Sequence, residues 1–195
     1  MISKHERHDL FGKTFLEVLV LKPPFIFDMP AMDNACFHYL LENDARYNFQ
    51  GKEINVAGQE SVLLNCRTVG NNVSSNNISK ENKLVIVHFH PDILKNVYQR
   101  ELPSLLKKPK NAVSNKIIER INNDFLIQKY IEGLLFYFEN PTLVNEDKLV
   151  LKLKEIIILL SQTKNADAIQ MILSQLFSQQ YILSDRLSMP TYIPI

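Results

Sequence analysis

The chain has no tryptophan, two cysteines, five glycines in 195 residues and a formal net charge of only +1. Each shortage excludes something. Two cysteines cannot staple a disulfide scaffold. Cys36 and Cys66 each sit in an apolar, strand-like context and read as reduced core thiols, which places the chain in the cytoplasm. So few glycines leave no phosphate-cradling loop, and no G-x-S-x-G elbow occurs. A near-zero net charge argues against DNA binding by this chain alone, because phosphate neutralisation drives that affinity. Its longest basic cluster, Lys107, Lys108 and Lys110, is broken by Pro109 and reads as a solvated loop. The opening MISKHERHDLFGK has no apolar core of a secretory signal. The richest apolar run, Ile156–Leu160, is too short to span a bilayer, so no membrane partner is expected.

What is present begins with Phe49–Cys66, FQGKEINVAGQESVLLNC. A strand ends at Gly51, alternation runs from Lys52 to Val56, Ala57-Gly58-Gln59-Glu60 turns, and a third strand follows. Period-two patterning predicts further strands over Phe15–Leu21, Ala35–Leu41, Arg46–Phe49 and Leu84–His90. Val69–Lys83, rich in Asn and Ser, reads as a polar loop. Short antiparallel strands with such punctuation build a small barrel or sandwich.

Beyond residue 91 the period becomes helical. Pro91 opens a short helix over Asp92–Arg100, and Pro103 and Pro109 mark a connection. Asp124 can cap a helix running to Glu139. Asn145 can cap a second, with Leu149, Leu153, Ile156, Ile157 and Leu160 on one face. Asn165 can cap a third, carrying Ile169, Ile172, Leu173, Leu176 and Phe177. These faces are wide enough to need cover on more than one side, which a second subunit could supply. Tyr181–Ile195, with Ser188, Pro190 and Pro194, reads as an irregular tail.

Little of this asks for catalysis, and neither an enzyme nor a cofactor is expected. His88 and His90 in VHFHP fall on one face of a strand and could fill two positions of a divalent metal, with His38 as a third ligand. No Glu follows at short spacing, so a metal-dependent enzyme is the alternative rather than the main reading. Cys36 and Cys66 lie in strands, away from any activating helix terminus. A barrel interior built from Phe37, Tyr39, Leu41, Tyr47, Phe49, Ile54, Val56, Leu64 and Cys66 either is filled or leaves room for a small molecule. For such a ligand the candidate contacts are Phe37, His38, Tyr39, Tyr47, Phe49, Leu64 and Asn65, with His38, Asn65 and Arg67 as orienting polar groups. A filled barrel would instead suit a protein-binding module.

Three passages in order carry a family resemblance: FQGKEINVAGQESVLLNC, LVIVHFHPDILKNVY (Leu84–Tyr98) and LVLKLKEIIILLSQTKNADAIQMILSQLF (Leu149–Phe177). Together they resemble the N-terminal domain of AraC-type transcription regulators, nearest the branch of type III secretion activators, over roughly residues 10–180. The resemblance implies an α+β fold: a cupin-like antiparallel barrel over residues 10–100, helices over 101–180 that pair two copies, and a tail over 181–195. It implies a barrel that senses a small-molecule effector or a regulatory protein, and a homodimer closed by Leu149, Leu153, Ile156, Ile157 and Leu160. In the family the HFHP position is not a metal site. Members continue into two helix-turn-helix units, so this sequence, ending at Ile195, is expected to be the regulatory half without its DNA-binding half.

Overall fold

The computed structural model describes residues 2–67, 69–76, 81–99, 102–107, 118–122 and 124–187, with side chains described as far as 176. In chain order its strands are β1 (Ile2–Leu10), β2 (Lys13–Leu21), β3 (Phe25–Met29), β4 (Ala35–Leu40), β5 (Ala45–Phe49), β6 (Lys52–Val56), β7 (Ser61–Asn65), β8 (Asn71–Ser75), β9 (Asn82–Phe89) and β10 (Ile118–Ile121). The helices are α1 (Pro91–Val97), α2 (Phe125–Glu139), α3 (Glu146–Gln162) and α4 (Ala166–Leu187).

Two tight turns close hairpins, one in each sheet. Phe11-Gly12 joins β1 to β2 at φ +51° and +72°, and Gln50-Gly51 joins β5 to β6 at φ +51° and +75°. Positive φ at both central residues is the type I′ geometry, whose twist matches that of the flanking strands. Antiparallel pairing then gives a six-stranded sheet in the order β1-β2-β9-β4-β7-β10 and a four-stranded sheet in the order β3-β8-β5-β6.

The six-stranded sheet is the middle layer. Along β9, Leu84 and Ile86 join a core shared with Tyr47, Phe49, Val56 and Val73 of the four-stranded sheet. The alternate residues Val85, Val87 and Phe89 join a second core with the helices. Strands β4 and β7 are buried at every position for the same reason. The face-to-face sheets are the expected cupin-like barrel, and the helical layer makes the fold α+β.

Capping sets the helix starts. Asp124 accepts from the Leu126 and Ile127 amides, and Asn145 from the Lys148 amide. The Asn165 side chain instead donates to Glu119 and to the Arg120 carbonyl, tying the start of α4 to β10. Among the described residues no helix is long and apolar enough to cross a membrane.

Three expectations change, and a strand that the sequence did not announce is added. The polar opening forms β1, an edge strand whose charged side chains suit an unpaired edge. Val69–Lys83, expected as a loop, holds β8, in which Asn71, Val73 and Ser75 point inward and Asn72 and Ser74 outward. The tail is helical as far as Leu187, because α4 runs through Tyr181 without a break; residues 188–195 lie outside the described ones, as do Lys108, Lys110 and the side chain of Phe177. Finally, the six-stranded sheet recruits β1 and β10 from beyond the expected 10–100 range, and its core is continuous with the helices.

Candidate functional site

A cavity of about 400 Å³ opens between the two sheets. Its apolar wall comes from Leu19, Phe27, Met29, Met32 and Ile86, and its polar wall from His5, Lys13, Glu17, His38, His88 and His90, with the thiols of Cys36 and Cys66 between them. Strand register explains the mixture. Glu17 stands opposite Ile86, Ile86 opposite His38, and His38 opposite Val62, so one cross-strand row carries both kinds of side chain. The adjoining row sets His88 beside Cys36 and Cys36 beside Leu64.

Glu17 is the electrostatic centre. Its Oε2 accepts from His88 Nε2 at 2.9 Å and its Oε1 from His5 Nε2 at 3.1 Å. Burial by itself raises the carboxyl pKa, but the hydrogen bonds and charges of His88 and then His5 outweigh it and bring it down to about 2. Glu17 is therefore ionised at neutral pH. On the far side of its ring, His88 Nδ1 lies 3.1 Å from Asn34 Nδ2 and 3.4 Å from Cys36 Sγ. Burial first, then His88, lowers His38 to about 3, so it is a neutral group 3.3 Å from the Tyr47 hydroxyl. Cys36 beside an imidazole looks superficially like a nucleophile with its base. Burial and the neighbouring Cys66 thiol push its pKa well up, which leaves a protonated, inert thiol.

The structure divides the expected ligand contacts. His38 lies on the cavity wall. Tyr47, Phe49 and Leu64 belong to the core between the sheets. Phe37 and Tyr39 turn the other way and pack in the helix-facing core; on a strand they cannot share a face with His38. Asn65 also faces the helices, donating to Gln175 on α4, while Arg67 reaches the Gln175 carbonyl at 3.1 Å and Asp33 at 2.7 Å. His88 and His90 stack with centroids 5.9 Å apart, and both nitrogens of His88 are engaged by its own chain. No group of three His, Cys, Asp or Glu side chains among the described residues has the geometry to hold a metal ion.

The interface residues also need correction. Leu149, Leu153, Ile156, Ile157 and Leu160 are 0–2% exposed and form the inward face of α3, closed by the chain's own sheet and helices. On α3 the exposed large apolar residues are Leu151 and Ile158; on α2 they are Phe125, Leu126 and Phe136. Sequence reasoning missed Glu17, His5 and Lys13. Glu17 falls in the expected strand Phe15–Leu21, but its partner His88 is 71 positions away and only the pairing of β2 with β9 unites them.

Fold and cavity together define a barrel domain with a ligand-sized hollow and a helical layer on one sheet. The model of the ExsA N-terminal regulatory domain family matches residues 35–172, well over half the chain, and the chain belongs to that family. Among solved structures, ToxT from Vibrio cholerae with unsaturated fatty acid bound superposes with a TM-score of 0.58 at 12% identity, covering 97% of this chain and 68% of that one. ToxT from Vibrio cholerae O395 bound to (E)-4-(8-methylnaphthalen-1-yl)but-3-enoic acid gives 0.56 at 9% identity, covering 91% and 67%. Another Vibrio cholerae ToxT structure gives 0.51 at 10% identity, covering 75% of this chain and 55% of that one. The chain thus spans between about half and two-thirds of these ToxT chains. At such identity the likeness is one of fold. No curated protein matches the chain by sequence.

Proposed function

We propose that this chain is the effector-sensing and self-associating part of an AraC-type transcription regulator, non-enzymatic and cytoplasmic, and that the cavity between its sheets is the effector site. The observation carrying this reading is the roughly 400 Å³ hollow, apolar on one side and centred on a partly buried carboxylate on the other, in a chain of a regulatory-domain family. Small carboxylic acids bound to ToxT lend the idea of a small effector general support. The Cys36 thiol, held protonated by burial and by Cys66, makes no nucleophile with the His88 imidazole beside it, which supports binding rather than turnover. DNA binding by this chain alone is not part of the proposal, given a net charge of +1.

Self-association is placed on the outer faces of α2 and α3, with Phe136, Leu151 and Ile158 meeting their copies across a two-fold axis. The deciding experiment is a thermal-shift and calorimetric screen of ten-carbon amphiphiles. A ligand at a hundred times its Kd stabilises the folded state by about 2.7 kcal/mol. At least one member is expected to raise Tm in the wild type and to lose that effect in Ile86→Trp, which fills the cavity. A panel in which nothing shifts Tm rejects the effector site.

A further inference from the structure

We infer that the cavity selects an apolar amine: a chain of about ten carbons ending in a protonated nitrogen that binds Glu17, with carboxylates excluded. This rests on the cavity being the effector site and goes on to name the class of molecule it takes.

Glu17 is the one carboxylate among the described residues lining the cavity. Its two hydrogen-bond donors are held very differently. His88 has a side chain 4% exposed and is clamped from behind by Asn34 and Cys36. His5 has a side chain 44% exposed and stands on the edge strand β1 at the cavity mouth. A ligand entering there can displace His5 from Oε1 while His88 keeps Oε2. Whatever takes the place of His5 must donate, because a carboxylate oxygen only accepts. An ammonium group does so with full opposite charge, in a charge-assisted bond.

A carboxylate head has no equivalent seat. It would meet the ionised Glu17 at close range. The lysine on the wall, Lys13, has a side chain 51% exposed, and its Nζ lies 3.8 Å from Asp92. His90 is kept from supplying charge by burial and then by His88, both of which lower its pKa. Size agrees with a ten-carbon chain: a water takes roughly 30 Å³ in the liquid, and eleven heavy atoms of comparable size occupy most of the hollow.

The test is calorimetry and thermal shift on the full chain at neutral pH with decylamine, 1-decanol and decanoate, each below its aggregation concentration. Decylamine is expected to bind at least tenfold more tightly than decanoate, with 1-decanol between them. Glu17→Gln is expected to shrink the gap between amine and acid to under threefold. Should that variant fail to fold, His5→Ala on the exposed edge strand serves instead: freeing Oε1 should tighten decylamine at least threefold, and unchanged affinity overturns the inference. Decanoate binding as well as decylamine overturns the ligand class and leaves the effector site standing. If none of the three binds, the effector site falls and the amine class with it.

Discussion

Leu153 separates two uses of α3. Its side chain is 0% exposed, in the core formed by the helix-facing side of the six-stranded sheet with α2, α3 and α4. Truncating a buried leucine to alanine costs about 2–5 kcal/mol, with the larger values where the surroundings cannot collapse into the void. Here a sheet and two helices surround the position, so Leu153→Ala should cost about 4 kcal/mol. Domains are stable by roughly 5–15 kcal/mol, so the variant still folds but is weakened. With a urea m-value of about 2–3 kcal/mol/M, the midpoint of unfolding falls by about 1.5 M. Leu153→Asp adds an unpaired buried charge and leaves no folded chain. Leu151→Asp lies on the outer face, at 64% exposure, and should move stability by no more than about 0.5 kcal/mol while shifting the sedimentation coefficient to that of a monomer. The assays are urea unfolding followed by circular dichroism, and sedimentation velocity on the same samples. A Leu153→Ala protein that keeps its urea midpoint within about 0.3 M yet becomes monomeric would falsify the inward placement of this face.

Three further outcomes test the parts that position the cavity. His38 has its pKa lowered from 6.5 to about 3, so the unfolded chain binds a proton that the folded chain refuses throughout that window. The His38 contribution is intact above pH 6.5 and declines toward pH 3, by up to about 5 kcal/mol, so urea midpoints between pH 6 and 4 should fall less steeply in His38→Gln than in wild type; equal slopes reject the buried neutral imidazole. Asp124→Ala removes the acceptor for two amides at the start of α2 and should cost about 1 kcal/mol in chemical unfolding. Gly51→Ala meets no atom within 4 Å, so its cost of about 1 kcal/mol comes from holding φ at +75° alone; a neutral substitution there would contradict the type I′ turn.

The sequence made the fold legible wherever one signal dominated. Gly51 and the alternation after it marked the β5–β6 hairpin, and Asp124 and Asn145 marked helix starts that their side chains do cap. Legibility failed where burial is two-sided or polar. In ACFHYL, the whole of β4, every residue is buried, so hydropathy cannot say which set faces the cavity; a one-residue ambiguity exchanges Phe37 and Tyr39 for Cys36 and His38. In NNVSS the inward residues include Asn71 and Ser75, whose type gives no hint of a strand. β1 likewise hides behind the charges that protect its edge.

The site was less legible than the fold, for a reason that also governs α3. A local pattern reports that a face will be covered, or that a charged residue sits among apolar ones, but not what meets it. Leu149, Leu153, Ile156, Ile157 and Leu160 form an apolar stripe suited equally to a sheet of the same chain or to a second copy. The buried sheet takes it, and only the weaker outer pair, Leu151 and Ile158, is left to face outward. Glu17 poses the same problem in reverse. One carboxylate in KTFLEVLVL looks like a solvated strand residue until β9 brings His88 within 2.9 Å and β1 brings His5 within 3.1 Å. The character of the cavity is thus set by pairing between strands distant in sequence, and a substitution in β9 or β1 can change its polar wall without altering the composition of β2.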